Sequence, residues 1–122
     1  MSELFETIAT GDVPVNTGKL LEASVFYYFN SKYDNNDISF YKGLDFECDF
    51  VLHQKGKTIE AFQVTVEMTD QKTKDRELKG LIKTCKDLDL INGTIITLNY
   101  EELITVDAIQ IKIIPAWKYF LS

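Results

Sequence analysis

Hydrophobic and polar positions change their period several times along this chain, and each change predicts an element. "SELFETIATG" predicts a short helix, with Ser2 as a cap and Gly11 as its stop. From Thr17 onward, in "NTGKLLEASVFYYFNSK", the residues Leu20, Leu21, Ser24, Val25, Tyr28 and Phe29 recur at helical spacing and predict a stronger helix. "YDNND" is a turn cluster. Period two then predicts strands over 38–42, 45–53 and 58–67, the last two joined by "QKGK" as a hairpin turn. The pattern turns helical again over 70–89, where Thr69 or Asp70 caps the start and Leu78, Leu81, Ile82, Cys85 and Leu88 form the apolar stripe. "NGTIITL" is continuously apolar, as a strand buried on both faces would be. "ITVDAIQIKII" alternates and reads as one further strand, after which Pro115 opens a last helix, "AWKYFLS". The order α, β, β, β, α, β, β, α predicts an α/β fold, a mixed sheet flanked by helices.

The totals narrow the function classes. A chain of 122 residues fits one domain, 1–122, with a substantial core. A hydrophobic share of 45%, with only 2 Pro and 6 Gly, is that of a folded domain rather than a disordered one. A net charge of -6 argues against strong, sequence-blind nucleic-acid binding, which Lys and Arg would have to supply. It leaves room for a local basic face or a metal-assisted site. The 2 cysteines, Cys48 and Cys85, make neither a disulfide framework nor a zinc cluster. The expectation is a cytoplasmic, reducing setting and no membrane partner, since no apolar run reaches the length of a span and the start lacks a signal-peptide pattern.

Three apparent motifs carry little. "NTGKL" has the Gly-Lys of a phosphate-binding loop, but Val13 and Leu20 stand where that loop needs Gly and Ser or Thr, so the stretch reads as a helix start. His53, the lone histidine, has no Cys or Ser partner at a known spacing and reads as a surface residue near a hairpin end. Cys85 lies on an apolar helix face and reads as a small core residue.

Two segments are chemically dense. In "DFECDFVL", strand alternation places Asp45, Glu47 and Asp49 on one face and Phe46, Cys48 and Phe50 on the other. Three acids in a row need a cation, a basic side chain or open solvent beside them. In "EAFQVTV", Gln63 and Thr65 share one face of the next strand, and the hairpin brings Asp49 near them. Glu22 sits one turn into the strong helix among apolar residues.

That arrangement resembles the PD-(D/E)XK nuclease superfamily, and more closely the domain that follows the ATPase module in one group of prokaryotic AAA+ ATPases. The stretches that carry the resemblance are "GKLLEASVFYYF", "FECDFVLHQKGKTIEAFQVTVEMTD", "KDRELKGLIKTCKDLDLINGTIITLNYEE" and "VDAIQIKIIPAWKYFL", most of residues 18–121. The resemblance implies a restriction-endonuclease-like fold. In active members a helix Glu and a strand Asp help to hold Mg²⁺, and Glu-x-Lys on the next strand completes the site. By position, Glu22 and Asp49 match the two acids, Gln63 falls on the Glu of Glu-x-Lys, and Thr65 falls on its Lys. Glu22, Asp49 and Gln63 are thus the implied Mg²⁺ ligands, and Gln63 and Thr65 the altered catalytic pair. Gln63 keeps a carbonyl oxygen but brings no charge, and Thr65 cannot replace an ammonium.

The helix over 70–89 also carries Lys72, Arg76, Lys79, Lys83 and Lys86 on one face. That stripe reads either as a solvated face opposite the leucines or as a source of a cation and of contacts to DNA. The implied function is a nuclease-like module with a degenerate Gln-x-Thr site that binds a partner, an ATPase module or another protein, or DNA weakly. The alternative is an active Mg²⁺-dependent DNA endonuclease with an atypical site.

Overall fold

The computed structural model describes residues 17–33, 37–42, 47–55, 57–66, 68 and 70–121, and not the side chains of Tyr41, Lys42, Glu47 and Asp49. The expected helix near residues 2–10, and Asp45 and Phe46, lie outside the described residues. In chain order the elements are α1 (Thr17–Lys32), β1 (Ile38–Lys42), β2 (Glu47–Gln54), β3 (Lys57–Val64), α2 (Gln71–Asp87), β4 (Asn92–Thr97), β5 (Glu102–Val106), β6 (Ile109–Pro115) and α3 (Ala116–Leu121). The strands form a 6-stranded sheet of order β1-β2-β3-β4-β6-β5. β1, β2 and β3 run antiparallel, β4 is parallel to β3 and to β6, and β5 is antiparallel to β6. Parallel neighbours need a crossover, and α2 supplies it between β3 and β4. The fold is α/β, a mixed sheet flanked by helices, consistent with a restriction-endonuclease-like architecture.

Each sheet face has its own core. α1 buries Leu21, Val25 and Phe29 against Phe50, Leu52, Phe62, Ile96 and Ile114. α2 buries Leu81 and Cys85 against Val51, Ala61, Ile95, Ile111 and Ile113, with Leu78, Ile82 and Leu88 packed at the margin. Each fully buried aliphatic or aromatic side chain contributes roughly 1.5–3 kcal/mol. α2 sits close to the sheet because Gly93 on β4 leaves space: a Cβ there would stand 3.0 Å from Leu81 and 3.2 Å from Cys85 Sγ.

Local chemistry sets the ends of α2. Asp70 caps the start: its carboxylate accepts from the Thr73 backbone N–H at 3.3 Å and from the Thr73 hydroxyl at 2.9 Å, and Thr69, the other expected cap, lies outside the described residues. At the other end Leu90 N–H reaches Cys85 C=O at 2.7 Å and Asp89 N–H reaches Lys86 C=O at 3.4 Å. With Asp89 at φ 58 this is a Schellman ending, built on Asp in place of the usual Gly.

The structure corrects three expectations. "ITVDAIQIKII" is a hairpin of two strands, not one strand: Val106 pairs with Ile109. The two residues between, Asp107 and Ala108, both have positive φ, at 52 and 67. Alanine is an unusual occupant of such a turn, so the sequence carries no glycine to announce it. Pro115 is the last residue of β6 rather than the first of the helix, which begins at Ala116. The third correction concerns Cys48 and Phe50. Ser39 pairs with Val51 while Tyr41 pairs with Cys48, so two steps on β1 match three on β2, a β-bulge. The extra residue reverses the alternation, and Cys48 enters the core under α2 while Phe50 enters the one under α1.

Candidate functional site

β3 lies in the middle of the sheet, between β2 and β4, and its alternation is regular near Gln63. Phe62 and Val64 face the α1 core, and Ala61 belongs to the α2 core. Gln63 therefore projects from the α2 face, where it is only 5% exposed. A buried amide is retained where its polar atoms are satisfied. Among the described residues no buried side-chain nitrogen or oxygen lacks a hydrogen-bond partner. Thr65, half-buried just beyond β3, continues the pairing with β4 by donating its backbone N–H to Ile96 C=O at 3.0 Å.

The start of α1 meets this end of β3: a Cβ at Gly18 would lie 3.6 Å from Val66 Cγ2. Glu22 is one turn further along α1, exposed beside the buried Leu21. Its helix covers one face of the sheet and Gln63 projects from the other. Phe50 pairs with Phe62, so the backbone of Asp49 lies next to that of Gln63. The Asp49 side chain is outside the described ones. The expected Mg²⁺ ligand set thus has two described members, which bring one anionic carboxylate from the α1 side and one neutral amide from the α2 side. A hard cation gains most from several anionic oxygens, so these two alone do not make a site for it. Among the described residues no group of three His, Cys, Asp or Glu side chains could hold a metal ion.

The basic residues of α2 lie along its outer side. Lys72, Arg76, Lys79 and Lys86 are exposed and Lys83 is half-buried. Two of them already have acidic partners. Lys86 Nζ is 2.7 Å from Asp107 on the β5–β6 turn, and an Arg76 guanidinium nitrogen is 3.6 Å from Glu77. Burial holds the Glu77 carboxyl above its usual pKa despite the neighbouring Arg76.

His53 is better connected than its sequence context implied. Its Nε2 is 2.7 Å from Ser39 Oγ on β1, and its Nδ1 is 3.0 Å from Thr58 Oγ1 on β3. Sequence spacing could not find these partners, because one of them is brought in by β1–β2 pairing. A second polar cluster also escaped the sequence reading. Glu60 on β3 accepts a hydrogen bond from the buried Thr94 hydroxyl on β4, at the edge of a cleft that also includes Lys112 and Tyr119. Alternation marks Glu60 and Lys112 only as outward polar residues, and sheet order alone brings them to one place.

Among the described residues no helix is long and apolar enough to cross a membrane. No family model matches the chain, and no solved structure matches it. It is 36% identical over 115 residues to an uncharacterized protein of Methanocaldococcus jannaschii, an alignment covering 88% of this chain and 25% of that protein. The chain therefore spans about a quarter of the length of the curated relative that it resembles.

Proposed function

We propose that the chain is a PD-(D/E)XK nuclease-like module, related to the C-terminal region of AAA+ ATPases, in which Gln-x-Thr stands where a working site has Glu-x-Lys. It acts by holding a partner, an ATPase module or another protein, and touches DNA only weakly. The observation that carries this reading is Gln63. It is buried in the central strand as a neutral amide, at the position where the nuclease pattern requires an anionic metal ligand. An amide there avoids the desolvation that an ionised carboxylate would suffer without a cation beside it. The element order α, β, β, β, α, β with β4 parallel to β3 supports the fold half of the reading. Similarity to a quarter of a longer archaeal protein supports a module carried on larger chains.

Cleavage of single- and double-stranded DNA with Mg²⁺ or Mn²⁺ tests it, with Asp49→Ala as control. The expected result is no cleavage. Robust cleavage that disappears in Asp49→Ala would establish the alternative, an active metal-dependent endonuclease. Any DNA binding through the α2 stripe should be in the non-specific range of roughly 10⁻⁴–10⁻⁶ M at physiological salt, and should weaken steeply as salt rises. Charge reversal at Lys79 and Lys83 should abolish it.

A further inference from the structure

On the α1 side of the sheet, the outer part over β4, β6 and β5 forms an open cleft of about 290 Å³. Its floor is a row of paired positions, Thr94 beside Lys112 and Lys112 beside Leu103. Glu60 closes the β3 end and is held there by the Thr94 hydroxyl, itself on a residue only 3% exposed. Tyr119 of α3 forms one wall, its ring fixed against Phe29 and Phe62. Burial and the Glu60 carboxylate hold its phenol above the ordinary tyrosine pKa, so its hydroxyl stays a neutral donor and acceptor. Leu103 is 68% exposed and lies on the opposite side.

The charges define what would fit. Glu60 on β3 is level with Asn92 of β4, and Lys112 on β6 pairs with Thr94, so two strand spacings of ~4.8 Å and two residues of ~3.3 Å set their backbones roughly 12 Å apart. Among the described residues neither forms an ion pair, with the other or with a third group. The cleft thus offers an anion on β3 and a cation on β6, with Thr94 of β4 between them, the Tyr119 ring as one wall and Leu103 of β5 as the other, beyond Lys112. We propose that it binds a small zwitterion of the α-amino-acid class with an apolar side chain. The ligand ammonium meets Glu60, its carboxylate meets Lys112, and its side chain lies between Tyr119 and Leu103. This site is on the opposite sheet face from Gln63, so it stands or falls independently of any nuclease chemistry.

The test is titration with L-phenylalanine and L-leucine, followed by calorimetry and by the backbone amide resonances of Gly93, Thr94 and Lys112. Saturable shifts confined to the cleft are expected. Phenethylamine and 3-phenylpropanoate, each lacking one charge, should bind about tenfold or more weaker, since each loses a charge-assisted hydrogen bond. Lys112→Met changes an exposed side chain, so it should leave the melting temperature in place while weakening binding by a similar factor. Glu60→Gln, which still accepts from Thr94, should do likewise. No saturable shift at millimolar amino acid, binding unchanged in Lys112→Met, or a response to nucleosides alone would overturn the proposal.

Discussion

Cys48 and Phe50 stand two residues apart on β2 and point into opposite cores, because the strand bulges between them. The bulge turns the Cys48 thiol onto backbone carbonyls, 3.2 Å from that of Phe62 and 3.4 Å from that of Phe50. Cys85 is equally enclosed, and burial, with the nearby Glu60 adding to it, pushes its thiol pKa up to about 11. Thiolates react and buried thiols do not. In Ellman's assay at pH 8 the folded protein should show two protected thiols that react only as fast as the chain opens, and both should react at once in denaturant. Rapid labelling of either under native conditions would contradict this packing.

Gly93 is required by the closeness of α2 to the sheet. Gly93→Ala places a methyl group 3.0 Å from Leu81 and should cost about 1–3 kcal/mol, the usual range for overpacking. Leu81→Ala alone leaves a cavity and should cost about 2–5 kcal/mol. Together the two changes should cost less than their sum, because the smaller Leu81 side chain makes room for the methyl group. Urea unfolding of the four proteins measures this, and strict additivity would show that the two residues do not share a contact.

The β5–β6 turn contains a correctable strain. Ala108 has φ 67, where a Cβ is unfavourable, and Asp-Gly suits a two-residue turn of this kind. Ala108→Gly should stabilise the protein by about 0.5–1 kcal/mol despite the added freedom of the unfolded chain. A lower denaturation midpoint for this variant would mean that the turn is not strained.

Lys74 joins α2 to β5. Its Nζ is 2.7 Å from Glu102 Oε1, and the Tyr100 hydroxyl donates to the same oxygen at 2.6 Å. The Glu102 partner raises the Lys74 pKa, and Lys74, with Tyr100, lowers that of Glu102. The Lys74 contribution is present below the ordinary lysine pKa and is lost as pH rises through its raised value. The Glu102 contribution is present above the ordinary carboxylate pKa and is lost as pH falls through its lowered value. Glu102→Gln should therefore be less stable than the parent at neutral pH, with the gap closing as pH falls below about 4. Glu77 has the opposite sign, since burial raises its pKa and stability falls as it ionises. Glu77→Gln should narrow the loss of stability between acid and neutral pH. Urea midpoints across pH, parent against variant, check both.

The proposed match of β3 to Glu-x-Lys can be tested by supplying the charges of that pattern. Gln63→Glu alone buries a carboxylate and should destabilise the fold. In Gln63→Glu with Thr65→Lys, added Mn²⁺ should raise the melting temperature, by an amount corresponding to about 2.7 kcal/mol once the metal reaches 100 times its Kd. The parent should not respond. If neither protein responds to Mn²⁺, the positional match of this strand to Glu-x-Lys loses its chemical content.

Much of the architecture follows from local periodicity. The apolar stripe of α2, the β2–β3 hairpin and the buried β4 were all legible, because a helix or strand imposes its repeat on whichever side chains it buries. Leu81 and Cys85 lie in the core where their spacing places them, and Lys55, with φ 53, leads into the expected turn. Gln63 and Thr65 were legible as an anomaly, two polar groups on one side of a strong strand. Periodicity could not show where an extra residue enters. A bulge at Cys48–Phe50 reverses the two faces, and a turn at Asp107–Ala108 divides an unbroken alternation into two strands. Only strand order could show which distant residues meet. Ser39 and His53 come from neighbouring strands, while Glu60, Thr94, Lys112 and Tyr119 come from three strands and a helix. The repeat of an element is set by the dihedral angles of its own residues, whereas adjacency across a sheet is set by how whole elements pack, and no single stretch of sequence encodes that.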